Sequence, residues 1–232
     1  SSLMAARQMH ACWNSTQNTA QVRSSVIEDI RTAANAQHLE ILGALHEGAD
    51  TILLLGPLEP EFWKVFKSNP EAQDGQSDPL DRWSKRIISQ LATNFKASTH
   101  FPSDGPLYPP FISWALDSGE SWASPIGMLV HQNAGLFASY RGALRLNGHL
   151  ALPAPTTSPC TPCAKPCKAA CPVDALSETS YNVEACKAHI LGPDSKSCRA
   201  HGCAARSACP VSQTYSRRPE QSAFHMRAFL GE

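Results

Sequence analysis

The apolar positions of the first 150 residues alternate between helical and strand periods. The capping-box spacing of Ser25-Val-Ile-Glu28 predicts a helix that runs to about Gln37. Two short apolar runs follow, His38 to Leu45 and Thr51 to Leu55, and glycines bound both of them. Runs of this length between glycines predict two buried strands.

Longer-range periodicity then predicts three more helices. Asp78-Pro79 places a capping residue before a proline that suits the first helical position. Apolar residues recur at helical spacing after it, so one face of this helix should pack on a core. Shorter helices are predicted at residues 59–67 and in the segment that ends at Asp117, before Gly119. Four tryptophans are assigned to core packing: Trp63, Trp83, Trp114 and Trp122.

The segment after residue 125 predicts a β-hairpin. Ile126 to His131 and Leu136 to Leu146 are apolar runs separated by Gln-Asn-Ala-Gly, a turn-forming stretch. Helices interleaved with strands, with a late hairpin, predict an α+β fold: a mixed α/β sandwich with a mixed sheet.

Prolines divide the chain. Three of the eight residues at 152–159 are proline, which predicts an extended linker. The predicted organisation is a mobile tail at 1–23, an α/β domain at 24–152, a linker at 153–159 and a cysteine-rich domain at 160–232. A closing helix is expected from Pro219 to Leu230. The basic residues of the cysteine-rich domain, with Arg217-Arg218 adjacent, are assigned to a solvated helix face, and a basic patch for an acidic donor protein is the alternative.

Charge and hydropathy narrow the function classes. Twenty basic residues balance twenty acidic ones, so no global field favours nucleic acid or a membrane surface as a partner. No apolar run approaches the roughly 18 residues of a membrane span. The first 24 residues lack the apolar core of a secretory signal, which predicts a cytoplasmic protein.

Eight of the nine cysteines fall between Cys160 and Cys209. A disulfide framework is one explanation, but such frameworks are typical of small secreted chains. In a reducing compartment, clustered cysteines are metal ligands more often. The ninth, Cys12, is isolated and is given no role.

The cysteine spacing predicts two [4Fe–4S] clusters. A bacterial ferredoxin run has the spacing C-x2-C-x2-C-x3-C-P, and its fourth cysteine ligates the other cluster. Residues 160–172 follow this pattern with one extra residue in the middle gap, and the second run also ends in a Cys-Pro pair. Crossed ligation then assigns Cys160, Cys163, Cys167 and Cys209 to cluster 1, and Cys171, Cys186, Cys198 and Cys203 to cluster 2.

Zinc is the alternative for the same residues. Cys160 and Cys163 have the spacing of half a zinc ribbon, and His189 or His201 could replace a thiolate. Zinc sites usually pair two such knuckles, and this chain has one. One cluster with spare cysteines also stays open.

The cysteine pattern resembles the dicluster ferredoxin module that follows a corrinoid-binding, nitroreductase-like domain in epoxyqueuosine reductases and reductive dehalogenases. In the former family a lone cysteine, as Cys186 would be here, precedes its partners. Residues 125–144 resemble the segment that lines the corrinoid site in those enzymes and, more closely, the matching segment of cblC-type cobalamin-processing proteins. Thr51 to Pro57 and Asp78 to Trp83 resemble that family's strand and helix start.

The resemblance implies a nitroreductase-like domain that could hold a corrinoid. It makes Asp104 a weak candidate for a proton donor, and His131, Tyr140 and Arg141 candidates for cofactor contacts. A hydrogen-bonded turn is the alternative for the histidine, and a solvated or sheet-edge position for the arginine. Tyr140 and Arg141 are expected on the second hairpin strand, pointing to opposite faces.

The function predicted from the sequence is therefore electron transfer. Two [4Fe–4S] clusters would relay electrons from a soluble donor protein towards a pocket in the N-terminal domain, where a small molecule or a corrinoid accepts them. The alternatives are a corrinoid-dependent reductase or cobalamin-processing enzyme, and a zinc-stabilised binding module.

Overall fold

The structure is a computed structural model that describes residues 26–193 and 196–232. The predicted tail at 1–23, with Cys12, lies outside these residues. In chain order the elements are α1 (26–35), β1 (Leu39–Glu47), β2 (Asp50–Pro57), α2 (Phe62–Lys67), α3 (Pro79–Phe95), β3 (Ser98–His100), α4 (Phe111–Asp117), β4 (Ser121–Ala123), β5 (Leu129–His131), β6 (Gly142–Asn147), α5 (Val183–Leu191), α6 (Lys196–His201), α7 (Ala204–Ser207), α8 (Pro210–Thr214) and α9 (Pro219–Leu230). We call residues 26–150 the sheet body and residues 160–232 the cysteine segment.

A four-stranded sheet forms the centre of the sheet body, with the strand order β1-β2-β6-β3. Its three ladders are all antiparallel. The predicted α+β class is confirmed, but the predicted mixed sheet is wrong. Every strand pair in the described part of the chain is antiparallel, because no helix returns one strand beside another in the same direction.

Both faces of this sheet are buried. Along β2, Leu53 and Leu55 join one apolar cluster while Ile52 and Leu54 join the other, as the two-residue period of a strand requires. A β-bulge between Ile41 and Ala44 shifts the register of β1, so that both of these residues reach the same cluster. The sheet body is therefore a three-layer sandwich.

Helices α1, α2 and α3 cover one face of the sheet and α4 covers the other. The predicted spacing in α3 buries Trp83, whose ring meets Phe62 at 5.4 Å and Phe66 at 6.1 Å between centroids. Pro79 stands at the start of α3 as predicted, but Asp78 makes no side-chain capping bond. Asp78 adopts a left-handed backbone instead, so the proline sets where the helix begins.

The predicted hairpin at 126–146 is wrong. β5 pairs with β4 in a separate two-stranded sheet, whereas β6 pairs with β2 and β3. After β5 the chain closes a tight turn, in which His131 and Gly135 exchange backbone hydrogen bonds. The Arg141 amide then donates to the Leu55 carbonyl, so the chain joins β2 rather than returning along β5.

The cysteine segment is built from short helices that pack onto the sheet body. Phe224 of α9, the predicted closing helix, lies 5.3 Å from Trp63 between ring centroids. The Tyr215 hydroxyl donates to the Pro57 carbonyl, and the Leu136 amide donates to Ser212 Oγ. Residues 151–158, at the predicted linker, form no helix or strand. Within the described ranges, no helix is both long and apolar enough to cross a membrane.

Candidate metal centres

Four cysteines converge from the two ends of the cysteine segment, and we call them the first cysteine set. They are Cys160, Cys163, Cys167 and Cys209. Three lie on one loop, which a 3-10 helix from Pro166 to Lys168 closes. Cys209 has the extended backbone that a following proline favours, and Pro210 then begins α8.

The thiols of this set lie close enough together to affect one another's pKa values. Burial raises the pKa of the Cys160 thiol, and the neighbouring Cys209, Cys163 and Cys167 raise it further. Burial likewise raises the pKa of Cys167, again with Cys209 and Cys163 as neighbours. Like charges close together disfavour ionisation, so these four sulfur atoms share one site.

A cavity of about 270 Å³ lies against the first cysteine set, and we call it the first cavity. Its lining is apolar apart from the thiols: Val130, Pro159, Pro162, Ala164, Pro210 and Val211 accompany Cys160, Cys163 and Cys209. The Lys165 amide donates to Cys163 Sγ at 3.2 Å.

The other four cysteines form the second cysteine set. They are Cys171, Cys186 on α5, Cys198 on α6 and Cys203, which immediately precedes α7. Burial raises the pKa of Cys186, and although a Tyr181 hydrogen bond opposes this, Cys203, Cys171 and Cys198 raise it further. Burial also raises the pKa of Cys198, with Cys203 and Cys171 as its neighbours.

All four of these cysteines line a second cavity, of about 150 Å³. Apolar side chains from both regions surround it, among them Met128 and Phe137 of the sheet body and Phe229 of α9. Arg206, Arg217 and His225 also line it. The two sets are therefore distinct sites, and each combines cysteines from both runs of the sequence.

Among the described residues, no group of three or more His, Cys, Asp or Glu side chains is placed to hold a metal ion. A lone tetrahedral zinc needs four ligand atoms within about 2.3 Å of it. A cubane cluster is a larger body and spreads its four thiolates more widely. Each set supplies four thiols beside a cavity, and four thiolates is the ligand number of one cubane cluster.

Asp104, the weak candidate for a proton donor, makes contacts within its own loop and with α3. Its Oδ2 accepts a hydrogen bond from the Phe101 amide at 2.8 Å, and its Oδ1 lies 3.3 Å from Lys85 Nζ. Its side chain is 41% exposed, and it lines neither of the two cysteine cavities. These contacts stabilise the loop that follows β3.

One of the two ring nitrogens of His131 accepts hydrogen bonds within a turn. Nδ1 accepts from the Asn133 and Ala134 amides, each at 3.1 Å, while Nε2 is buried without a partner. Burial lowers the pKa of His131 to about 4, so the ring is neutral at physiological pH. The ring therefore fixes the turn between β5 and Gly135.

Tyr140 and Arg141 precede β6 rather than lying on a hairpin strand. The Tyr140 hydroxyl lies 2.9 Å from Ser121 Oγ, and burial raises its pKa to about 12. The Arg141 guanidinium lies 3.7 Å from Asp81, and its side chain is 14% exposed. The predicted solvated or sheet-edge position for Arg141 is wrong, because the helix α3 covers it.

Sequence reasoning missed the cations at the second cavity. The Arg217-Arg218 pair was assigned to a solvated face, and the assignment fails for Arg217. Arg218 is 41% exposed and pairs with Glu61. Burial lowers the pKa of Arg217 to about 10, and its Nε is buried without a partner. Adjacency of two arginines carries no signal of which one is buried, whereas tertiary packing decides it.

No family model, curated protein or solved structure matches the chain.

Proposed function

We propose that this protein is an iron–sulfur redox protein that holds two [4Fe–4S] clusters and relays single electrons. One observation carries the proposal: eight thiols separate into two groups of four, each with its own cavity. Four thiolates are what one cubane cluster requires. When bound, such a cluster accepts and releases one electron at a time.

The crossed membership of the two sets supports the same proposal. Cys209 joins the loop cysteines of the first run, and Cys171 joins the three cysteines of the second run. This exchange of the last cysteine is the arrangement of two-cluster ferredoxins. A single zinc ion offers no reason for two interlocked groups of four.

The protein's own residues would set the environment of each cluster. Apolar side chains line much of both cavities, and backbone amides donate to sulfur in both sets, from Lys165 to Cys163 and from Ala175 to Cys171. Burial and hydrogen bonds to sulfur are the protein's means of adjusting cluster potential. Met128 and Phe137 carry the wall of the second cavity into the sheet body, which supports electron flow in that direction.

The sheet body supplies less support for a resident corrinoid. Tyr140 and Arg141, which the resemblance places at a corrinoid, are directed at Ser121 and Asp81 within the body. We therefore propose electron transfer to a separate acceptor.

Metal and sulfide analysis of anaerobically purified protein tests the proposal. We expect about eight iron and eight sulfide per chain, with a broad visible absorbance that dithionite bleaches. Stoichiometric zinc without sulfide would overturn it. Cobalt in the same sample, or retention of added cob(II)alamin after desalting, would restore the corrinoid-dependent alternative.

Cysteine variants test the two sets separately. Cys163→Ser should remove only the first cluster and Cys186→Ser only the second, so each variant should keep about half of the iron. Cys12→Ser is the matched control and should keep all of it. Equal iron loss from both clusters in either variant would contradict the assignment of sets.

A further inference from the structure

Two arginines distinguish the second cavity from the first. Arg206 and Arg217 line the second cavity, whereas the residues that line the first carry no charged side chain. His225 also lines the second cavity, but burial lowers its pKa well below 6.5, so it adds no positive charge. Lys165 and Lys168 lie near Cys160, but both are exposed, so water and salt screen them. The difference in fixed charge is therefore a difference between the two sites themselves.

Arg217 is the more deeply placed of these two arginines. It donates from Nη1 to the Phe137 carbonyl at 3.2 Å, and its guanidinium lies 5.1 Å from the centre of the Phe137 ring. Its Nε is buried and has no hydrogen-bond partner. A buried cation is costly unless an anion compensates it, and the anion that the second cavity is built to hold is a thiolate-ligated cluster.

Glu59 compensates this cation only in part. Both of its carboxylate oxygens are buried without a hydrogen-bond partner. Burial raises the pKa of Glu59 to about 7, against opposing effects of Gln221, Arg217 and Arg218. Near neutral pH the carboxyl is therefore ionised for only part of the time, and positive charge remains at the cavity.

The other influences on cluster potential are similar at the two sites. Each set has sulfur atoms that receive a backbone amide and a hydroxyl: Lys165 and Ser158 act on the first set, Ala175 and Tyr181 on the second. Each set also mixes buried and half-buried thiols. The lining arginines are therefore the main difference in fixed charge between the two sites.

We infer that Arg217, with Arg206 beside it, makes the second cluster the more easily reduced of the two. A cluster with four thiolates is anionic and gains one further negative charge on reduction, so a buried cation stabilises the reduced form. Electrons then pass from the first cluster to the second, beside the sheet body. This inference rests on the proposed function.

The test is a potentiometric titration of anaerobic holoprotein followed by electron paramagnetic resonance. Cys163→Ser and Cys186→Ser each retain one cluster, so they identify which potential belongs to which site. We expect the cluster left in Cys163→Ser to hold its electron at least tenfold more favourably, a separation of about 59 mV or more. A higher potential for the cluster left in Cys186→Ser would overturn the inference.

Arg217 variants test the cause. Arg217→Gln should lower the potential of the second cluster alone, Arg217→Lys should restore most of it, and Arg218→Gln should leave both unchanged because that arginine pairs with Glu61 at the surface. An unchanged second potential in Arg217→Gln, with full iron and sulfide, would reject Arg217 as the cause. Wild-type protein without iron and sulfide would instead reject the proposed function.

Discussion

The sheet body and the cysteine segment are stabilised by different means. The sheet body buries large side chains on both faces of its sheet, including Trp83, Phe62 and Phe66. In the cysteine segment, the buried apolar residues are small or are cysteines, except for Ile190. Burial of apolar area stabilises the first region by itself, whereas the second lacks the area to do so.

Helix length shows the same contrast. α3 spans 17 residues, while α6, α7 and α8 span 6, 4 and 5. Isolated helices that short are not stable in water. The cysteine segment therefore draws stability from packing on the sheet body and, under the proposed function, from the clusters that its cysteines would hold.

Removal of the proposed clusters is the change from which we expect the largest difference between the two regions. If ligand binding folds the segment, stripping iron with a chelator under oxidising conditions should unfold α5 to α8 while the sheet stays intact. Circular dichroism should show a loss of helical signal, and limited proteolysis should cut within residues 160–215. α9 should resist longer, because Phe224 packs against Trp63 and Phe66.

The sheet body is the internal control for that experiment. Its protease resistance and its thermal transition should be the same with and without iron. A segment that resists protease equally in both forms would show that it folds without metal, and the contrast between the two regions would fail.

A substitution that creates a cavity in the sheet body should give the next largest effect, a loss of stability. Leu54 is fully buried at the centre of the sheet, so Leu54→Ala should lower the free energy of unfolding by about 2–5 kcal/mol. Denaturant unfolding measures this, and iron content at low denaturant should not change. Ile112→Ala, at a side chain that is 67% exposed, is the control and should cost less than about 0.5 kcal/mol.

Much of the sheet body could be predicted from its sequence, because local patterns decide it. The glycine-bounded runs at 38–45 and 51–55 became β1 and β2, and the apolar spacing after Pro79 became α3. The hairpin predicted at 126–146 is wrong, because the apolar runs of that segment are equally suited to pairing with several strands. Tertiary contacts, including the bond from the Arg141 amide to the Leu55 carbonyl, choose among them.

The candidate site, like the fold, could be predicted from the sequence only in part. Cysteine spacing predicts two sets of four thiols, and the structure brings the members of each set close together. That either set ligates a cluster stays a prediction. Spacing could not predict Arg217, since its burial depends on how α9 and the turn before it pack against Phe137. Charged residues at a packed junction carry no local signal of their position.

The buried Glu59 at the junction of the two regions should make stability depend on pH. Burial raises its pKa from 4.5 to about 7, so the folded state binds a proton that the unfolded state releases. This stabilisation is complete below pH 4.5 and is lost as pH rises through about 7. Between about pH 5.5 and pH 8, Glu59→Gln should gain about 2 kcal/mol relative to wild type.

Unfolding of both proteins across that range measures the effect. His131 has its pKa lowered to about 4, and its own pH dependence is common to both proteins and cancels in the comparison. If the difference between Glu59→Gln and wild type stays constant with pH, Glu59 is ionised in the folded protein and its carboxylate is compensated.

The smallest effect is expected from a variant that weakens the contact between the two regions and leaves all the cysteines in place. Ser212 is 1% exposed, and its Oγ accepts the Leu136 amide of the sheet body at 2.9 Å. Ser212→Ala leaves that buried amide without a partner, at a cost of about 1–3 kcal/mol. Gly135 lies so close that a Cβ there would be 2.4 Å from the Ser212 amide, so the junction has no room to rearrange.

Amide hydrogen exchange is the measurement for this variant. Exchange should accelerate at Leu136 and along α8, while β1 and β2 stay protected and the iron content stays at the wild-type value. Thr214→Ala, at an exposed side chain of the same helix, should leave exchange unchanged. If Ser212→Ala lost iron as readily as a cysteine variant, docking and cluster binding would be one cooperative event, and the two regions would share their stability.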